Sequence, residues 1–411
     1  EMSKIPKSRS DIDNKWLETV FCNYFNTSVQ IQSHCFRESP LKGDNITSNI
    51  SMITVDILIG KELRTIHIVM KTTPESETGR SFIAKSKLFQ RECYVYRQYL
   101  PYLQNRFNSD LFPTFYFGKE EDGYGVIITI DLCKCGYVMK NRMAQTTIEE
   151  ASAAIRGLSR FHAYGHLALL WQKSFDFESD LSLVSHPETE TFVAKCLSSF
   201  WNIVTNDLPE YKEYRKSIKN LLTTLGVNPF MTQDKSPGPF LTINHGDMWT
   251  NNILFDYSSP SSPSVKFIDW QFPNVSSGII DLSYFIFSSL TPDFRHSHLD
   301  SLLHLYLTTY KEELTKYTDI EENFYSYEAL TGEFDNLRKF HFFVAIFFTR
   351  TFHDNNVSSN INSEDFSILD YSHSSYYSPA VVRQLKAILD EFIADHTIVP
   401  NQAQAAASDD S

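Results

Sequence analysis

The chain has 411 residues, of which 42% are hydrophobic, and a formal net charge of −13 at pH 7. It is long enough for two lobes, because a single hydrophobic core stops growing at roughly 250 to 300 residues. The acidic balance excludes a broad nucleic-acid-binding surface, which needs clustered basic residues to displace counterions from phosphates. Any anionic ligand must therefore meet a local positive charge.

The cysteines and the apolar segments bear on the cellular compartment. The 6 cysteines form no C-x-x-C pair, a pattern that favours reduced thiols over a disulfide scaffold. Residues 1–20 lack the apolar core of a signal peptide. The longest apolar run, residues 342–348, is shorter than the roughly 20 residues that a membrane span requires. We therefore expect a cytoplasmic protein with no membrane contact, and no protein partner is implied.

The first part of the chain predicts a small antiparallel sheet. A helix is predicted over residues 13–25, before the first strand. Residues 50–59 and 64–72 are rich in β-branched residues and are joined by the turn GKEL, so they predict a hairpin. Residues 114–132 predict a second hairpin around the acidic turn KEEDG.

A further helix is predicted between these two hairpins. Residues 73–80, TPESETGR, predict a polar loop. In the segment SKLFQRECYVYRQYLP, residues 86–101, apolar side chains recur at helical spacing. Pro101 is predicted to end this helix.

The rest of the chain predicts mainly helices. Thr147 and Glu150 form a capping box, which predicts the start of a long helix that reaches about Leu170. The apolar runs ILFD and VKFID flank a Ser/Pro loop and predict a third hairpin. Other helices are predicted over residues 188–206, 210–225, 280–290, 297–316, 333–352 and 378–395, and a disordered tail over residues 401–411.

The stretch NHGDMWTNNILFD, residues 244–256, carries an aspartate and an asparagine at fixed spacing. An ordinary turn is one interpretation of Asp247 and Asn252, because both residue types favour turns. Asp269 follows, however, at the end of an apolar strand. Since Mg²⁺ prefers oxygen ligands and takes some of them from phosphate and water, Asn252 and Asp269 would suffice to hold it. Asp247 would then be left for an acceptor hydroxyl.

A second pair of charged residues precedes this stretch. Lys71 ends a predicted strand, and Glu92 lies on the following predicted helix. A lysine paired with a glutamate offers nucleotide phosphates a fixed positive charge, although each residue alone could be an ordinary solvated side chain. The order strand lysine, helix glutamate, hairpin, H-x-D-x-x-x-x-N and strand aspartate is that of the kinase lobes.

With these motifs the chain resembles the ecdysteroid kinase-like (CHK kinase-like) family, relatives of choline kinases and aminoglycoside phosphotransferases. The resemblance extends over nearly the whole chain. It rests on the stretches KGDNITSNI, IVMK, FQRECYVY, IDLCKCGY, LSRFHA, HGDMWTNNILF, FIDWQ and IIDLSYF.

The resemblance implies an α+β, two-lobed protein-kinase-like fold. Residues 1–132 would be a nucleotide-binding N-lobe, made of a small antiparallel sheet with one main helix. Residues 133–400 would be a larger helical C-lobe with the catalytic loop and the acceptor pocket. The implied activity is transfer of the γ-phosphoryl group from ATP, with Mg²⁺, to a hydroxyl of a small molecule, such as an ecdysteroid or a foreign alcohol.

The resemblance also implies roles for individual residues. Asp247 corresponds to the catalytic base, Asn252 and Asp269 to the magnesium ligands, and Lys71 with its partner Glu92 to the phosphate-binding pair. The loop over the phosphates would comprise Gly43, Asp44, Asn45 and Ser48, although a single glycine departs from the G-x-G-x-x-G form. The segment that joins the lobes and meets adenine would comprise Asp131, Leu132 and Cys133.

Three further residues are expected to support the site. We expect His245 to brace the loop backbone and His162 to be a hydrogen-bonded core residue. Asp281 is expected either to cap its helix or to bond toward the catalytic loop.

Two rival functions remain. A protein kinase is disfavoured, because only 11 residues separate Asp269 from Asp281 and no A-P-E follows. The other rival is a catalytically silent kinase-like protein that binds an apolar small molecule. Such proteins usually lack a metal ligand or the phosphate-binding lysine. This sequence retains Lys71 and the two predicted metal ligands, Asn252 and Asp269.

Overall fold

The computed structural model describes residues 5–7, 9–37, 48–74, 77–142, 144–171, 175, 187–225, 238–321, 323–353 and 378–401. The strands are β1 Val29–Arg37, β2 Asn49–Ile59, β3 Glu62–Thr72, β4 Phe115–Glu121, β5 Tyr124–Ile130, β6 Tyr137–Met139, β7 Leu241–Asn244, β8 Ile253–Asp256, β9 Ser264–Phe267 and β10 Asn274–Ser277. The helices are α1 Asn14–Phe25, α2 Glu77–Ser86, α3 Leu88–Tyr94, α4 Leu100–Phe107, α5 Ile148–Leu170, α6 Pro187–Asn206, α7 Arg215–Leu225, α8 Ile279–Ser289, α9 Pro292–Thr315, α10 Tyr327–Asn336, α11 Arg338–His353 and α12 Pro379–Ala394.

The N-terminal part is built on a five-stranded antiparallel sheet with the strand order β1-β2-β3-β5-β4. Both predicted hairpins, β2–β3 and β4–β5, are confirmed. Strand β1 was not predicted from the sequence. Its register shifts between Ile31 and Ser33, and its second half is largely exposed, so the alternation of apolar and polar residues that marks a strand is interrupted.

The predicted first helix is confirmed as α1, and it covers one face of this sheet. The side chain of Asp13 caps the helix, with Oδ1 accepting a hydrogen bond of 2.7 Å from the Trp16 amide. One side of the helix buries Trp16, Leu17, Val20 and Phe21 in a small core with apolar residues of the sheet. This core is separate from the larger one that the helical part of the chain forms.

The helix that carries Glu92 continues past the residue predicted to end it. A π-helical turn, Val95–Tyr99, links α3 to α4, and Pro101 lies in the first turn of α4. A proline is tolerated there, because the N–H groups of a first helical turn need no partner within the helix. The predicted end at Pro101 was therefore wrong, and so was part of the predicted loop 73–80, since α2 begins at Glu77.

The C-terminal part is mainly helical, which confirms the predicted α+β class. The capping box at Thr147 and Glu150 is formed, and α5 runs from Ile148 to Leu170 and packs against α9. The predicted hairpin of ILFD and VKFID is confirmed as β8–β9, with β6 as a third strand. The helix predicted over residues 333–352 is two helices, α10 and α11, which meet at Leu337.

The described residues test two other predictions only in part. In the described part of the chain, no helix combines the length and the apolar character that a membrane span requires. The tail predicted over residues 401–411 lies outside the described residues except for Asn401. The domain boundary at residue 132 stays a prediction.

A buried histidine predicts how stability depends on pH. His341 on α11 is stacked on the Phe287 ring, with 4.2 Å between centroids, and its Nε2 lies 2.9 Å from Ser283 Oγ. Burial, together with the charges of Arg295 and Arg338, holds its pKa well below the ordinary value. The unfolded chain thus binds a proton that the folded chain does not, and stability falls as the pH drops below about 6.5.

We expect this histidine to remove up to about 1.4 kcal/mol per pH unit in that range. Thermal unfolding midpoints at pH 7.5 and 5.5 measure the effect. His341→Gln should narrow the difference between the two midpoints, whereas the same change at the exposed His304 should leave it as in the wild type. An unchanged difference in His341→Gln would show that this group does not control acid stability.

Candidate active site

The loop between β7 and β8 carries the H-x-D-x-x-x-x-N motif, and its backbone conformation depends on a glycine. Gly246 has a φ of +84°. A Cβ atom there would lie 2.0 Å from the carbonyl oxygen of Phe272, so any other residue would force the backbone to move. The chain can make this close approach only with glycine, which places Asp247 directly after the turn.

Helix α8 holds the backbone of the same loop. Asp281 Oδ2 accepts a hydrogen bond of 2.6 Å from the His245 amide, and Oδ1 accepts one of 3.0 Å from the Gly246 amide. The N-cap residue of α8 is Gly278, and the amide of Ile279 at the start of the helix donates to Ser277 Oγ at 3.2 Å. Of the two roles expected for Asp281, the structure therefore shows the bond toward the catalytic loop.

His245 braces the loop, as expected. Its Nε2 lies 2.9 Å from the carbonyl oxygen of Ile268, and its Nδ1 accepts a 3.3 Å hydrogen bond from the Asp247 amide. Burial lowers the pKa of this histidine, so the ring stays neutral. His162 is a hydrogen-bonded core residue, as expected, with Nδ1 2.8 Å from the Tyr306 hydroxyl.

Both oxygens of the Asp247 carboxylate accept a hydrogen bond. Asn252 Nδ2 donates to Asp247 Oδ2 at 2.9 Å and to the Asp247 carbonyl at 2.7 Å, and Tyr284 donates its hydroxyl proton to Oδ1 at 2.9 Å. Because the amide nitrogen of Asn252 is directed at Asp247, the amide oxygen Oδ1 is the atom that can face a ligand. Asn252 itself is buried, in the short 3₁₀ turn Thr250–Asn252.

The environment of Asp247 changes its acidity. Burial, followed by the negative charge of Asp269, raises the pKa of Asp247 to about 7, and the hydrogen bonds from Tyr284 and Asn252 oppose this rise. A carboxylate with a pKa near the operating pH is well suited to accept a proton in a reaction. The two hydrogen bonds therefore orient a carboxylate that is suited to accept a proton.

Lys71 lies between two carboxylates from different parts of the chain. Its Nζ is 2.8 Å from Glu92 Oε2 and 2.5 Å from Asp269 Oδ1. Burial alone would lower the pKa of Lys71, but the charges of Asp269 and Glu92 outweigh burial and raise it, so the ammonium is retained. The Lys71–Glu92 pairing predicted from the sequence is thus present, and Asp269 joins it.

Asp269 follows β9, and the residue before it pairs with Asn252. The Ile268 amide donates to the Asn252 carbonyl at 3.1 Å, which holds the two segments together. In the described part of the chain, no group of three or more His, Cys, Asp or Glu side chains could hold a metal ion. The donors predicted from the sequence are one amide oxygen, from Asn252, and one carboxylate, from Asp269. Such a set fits Mg²⁺, which is a hard ion and takes its other ligands from phosphate and water.

The segment predicted to meet adenine follows β5. The carboxylate of Asp131 is buried, with Oδ2 2.6 Å from Arg37 and Oδ1 accepting a 3.0 Å hydrogen bond from the Cys133 amide. The Asp131 amide donates to the carbonyl of His67 at 2.9 Å. Asp131 therefore shapes this turn through its side chain, and the Asp131 and Cys133 amides are engaged within the protein.

The loop predicted to cover the phosphates is described only at its end. Gly43, Asp44 and Asn45 lie outside the described residues. Ser48 is buried directly before β2, and its Oγ has no hydrogen-bond partner among the residues that the structure describes.

Two side chains of the site were not found from the sequence. Tyr284 binds Asp247, and Gln271 Nε2 lies 3.4 Å from Glu92 Oε2. Tyr284 had a signal: it stands three positions after Asp281, so both residues lie on one face of the same helix.

Comparisons with known proteins extend these observations. The family described as "Ecdysteroid kinase-like family" matches residues 42–318. Among curated proteins there is no significant match.

Solved structures that match this chain over most of its length have low sequence identity to it. A Plasmodium vivax ethanolamine kinase is 12% identical, covers 88% of each chain and has a TM-score of 0.42. An aminoglycoside 2′-phosphotransferase-IIIa in a GDP complex is 14% identical, covers 93% of this chain and 100% of its own, and has a TM-score of 0.38. A protein from Haemophilus somnus 129PT described as "Putative fructosamine-3-kinase" is 12% identical, covers 91% of this chain and 96% of its own, and has a TM-score of 0.37. A likeness at this level assigns neither a substrate nor a cofactor to this chain.

Proposed function

Because the chain belongs to the ecdysteroid kinase-like family, as its motifs predicted, we propose that it is a small-molecule kinase. It would transfer the γ-phosphoryl group of ATP, with Mg²⁺, to a hydroxyl of its substrate. The observation that carries the proposal is the convergence of residues from four separate segments on one site. These residues are Lys71, Glu92, Asp247, Asn252 and Asp269.

The nucleotide would be held by charge and by backbone. The retained ammonium of Lys71 is the local positive charge that an acidic protein needs in order to bind phosphates. Of the amides between Asp131 and Cys133, those of Asp131 and Cys133 are already engaged. We propose that the adenine edge lies against the segment formed by Asp131, Leu132 and Cys133. Gly43, Asp44, Asn45 and Ser48 would close over the phosphates.

Asn252 Oδ1 and the carboxylate of Asp269 would hold Mg²⁺. When bound, the ion neutralises negative charge on the transferring phosphates. The buried position of Asn252, fixed by its two hydrogen bonds to Asp247, means that this ligand is oriented before any ion arrives.

Asp247 would orient the acceptor hydroxyl and take its proton. A bond forms between the hydroxyl oxygen and the γ-phosphorus, and the bond from that phosphorus to the β–γ bridging oxygen breaks, which leaves ADP. The hydroxyl proton passes to the Asp247 carboxylate. Since the transition state of such a transfer is loose, the proton moves late, and positioning contributes more than base strength.

The aromatic residues beside Asp247 support an apolar acceptor. Trp249, two positions after Asp247, is partly exposed and lies 5.5 Å from the Phe348 ring, which in turn lies 5.3 Å from Tyr284. Phe348 and Tyr284 are buried, so the partly exposed ring of Trp249 is the surface that would favour a hydrophobic acceptor that carries a hydroxyl, such as a steroid or a xenobiotic alcohol.

The test is product formation by the full chain with [γ-³²P]ATP and MgCl₂. The acceptor panel would contain an ecdysteroid, an aromatic alcohol, choline and kanamycin, with products identified by mass spectrometry. We expect a phosphorylated apolar alcohol that is absent when EDTA is added. Tight binding of a panel compound without any product would contradict the proposal and favour a silent binding protein.

A further inference from the structure

Helix α8 contributes two contacts to the catalytic loop. Asp281 binds the amides of His245 and Gly246, and Tyr284, one helical turn later, binds the Asp247 carboxylate. Residues three positions apart lie on the same face of a helix. One helix therefore fixes both the backbone of the loop and the direction of its acidic side chain.

The hydroxyl of Tyr284 binds the oxygen of the Asp247 carboxylate that Asn252 does not bind. Asn252 Nδ2 donates to Oδ2, whereas Tyr284 donates to Oδ1 at 2.9 Å. With one donor on each oxygen, rotation of the carboxylate about its bond to Cβ would break both hydrogen bonds. Each oxygen still has a second lone pair that can accept a hydrogen bond from a substrate hydroxyl.

The Tyr284 ring is itself held in place. It is 5% exposed and packs against Phe348 at 5.3 Å and against Phe340 at 6.4 Å, both on α11. A side chain fixed by packing can orient a neighbour more accurately than a mobile one. Tyr284 belongs to α8 and packs on α11, so its hydrogen bond fixes the Asp247 carboxylate relative to these two helices.

We propose that Tyr284 is a positioning residue for phosphoryl transfer, which orients the Asp247 carboxylate toward the acceptor hydroxyl. This inference rests on the proposed function. The tyrosine takes no part in making or breaking bonds, and its hydrogen bond selects the rotamer of Asp247 from which the acceptor proton can be taken.

The experiment compares Tyr284→Phe with Tyr310→Phe in the full chain. Both variants delete one buried hydroxyl and keep the ring; that of Tyr310 donates to the carbonyl of Pro239 at 3.1 Å and does not contact the site. Because the hydrogen bond to the Asp247 carboxylate is lost, we expect Tyr284→Phe to lower the kcat for phosphorylation of the panel alcohol by about 10- to 100-fold. We expect the KM for ATP and the affinity for ADP to stay within about 2-fold of wild type. Tyr310→Phe should keep the wild-type kcat.

A double-mutant cycle with Asp247→Asn separates positioning from a general structural effect. If Tyr284 acts through Asp247, the double variant should be no more than about 2-fold slower than Asp247→Asn alone, whereas independent effects would multiply. Multiplied losses, or a normal kcat in Tyr284→Phe, would overturn the inference and leave the proposed kinase activity intact. A wild-type chain that transfers phosphate to no panel alcohol and releases none to water would overturn both.

Discussion

Asp247→Asn should lower the turnover number by roughly 10²- to 10⁴-fold while nucleotide binding is kept. Asparagine has nearly the same shape and retains an oxygen for the Tyr284 hydroxyl, but its amide nitrogen cannot accept the hydrogen bond that Asn252 Nδ2 donates to Asp247 Oδ2. Asn252 still donates to the carbonyl of residue 247, and Asp281 still binds the amides of His245 and Gly246, so the loop should keep its conformation. What is lost is the charged group that accepts the proton. The Lys71 site, which would bind the phosphates, is held by Glu92 and Asp269 and does not contact the changed residue through any of its salt bridges.

Two measurements check this prediction. Steady-state kinetics gives kcat, and calorimetric titration with ADP gives nucleotide affinity. Asp256→Asn is a matched control, because Asp256 lies in the same strand–loop region and its carboxylate binds only Ser258 among the described hydrogen bonds. Near-normal turnover in Asp247→Asn would remove that residue from the mechanism.

Asp269→Ala should abolish magnesium-dependent turnover. The change removes one of two proposed protein ligands of the ion and one of the two carboxylates beside Lys71. With Asn252 as the remaining protein donor, the ion would lose its charged ligand. We therefore expect the stimulation by MgCl₂, of turnover and of ADP affinity, to disappear together.

A second substitution distinguishes the loss of the metal ligand from a loss of activity caused by a change in backbone conformation. Asp269→Asn keeps a residue type that tolerates the local backbone but removes the charge, so it should show the same loss of magnesium dependence. Thermal unfolding would confirm that the variant is folded. Magnesium-stimulated turnover at the wild-type rate in Asp269→Asn would exclude this carboxylate from metal binding.

The sequence predicted the parts of the site that have a fixed linear order. Lys71 at a strand end, Glu92 on the next helix and Asp269 after a later strand each have a residue type and a place that kinase chemistry requires. Their proximity in the structure follows from that order. The hairpins and the capped helices were predictable for a similar reason, since their signals lie within a few neighbouring residues.

The parts that were missed depend on contacts between distant residues. The Tyr284–Asp247 bond joins positions 37 apart, and its sequence signal is indirect, because it consists only of the place of Tyr284 three positions after Asp281 on the same helix. Pro101 is typical of a helix end. In the structure, however, a π-helical turn precedes it and a new helix, α4, begins there, so the proline lies in a first helical turn, where its ring fits. Strand β1 has a break in its alternation and pairs with β2, which lies 12 or more residues further along the chain. The roles of Gly43, Asp44 and Asn45 stay predictions, because these residues lie outside the described part of the chain.

The backbone at Asp269 has an evolutionary consequence. Its φ of +67° lies in the left-handed region, which glycine adopts freely and which asparagine and aspartate tolerate better than most residues. A descendant that abandoned catalysis at this position could therefore drift most cheaply to asparagine or glycine, while branched side chains would be selected against on folding grounds alone. On the proposed function, either replacement in a paralogue that keeps the surrounding strand would remove the proposed magnesium ligand while the backbone conformation is kept.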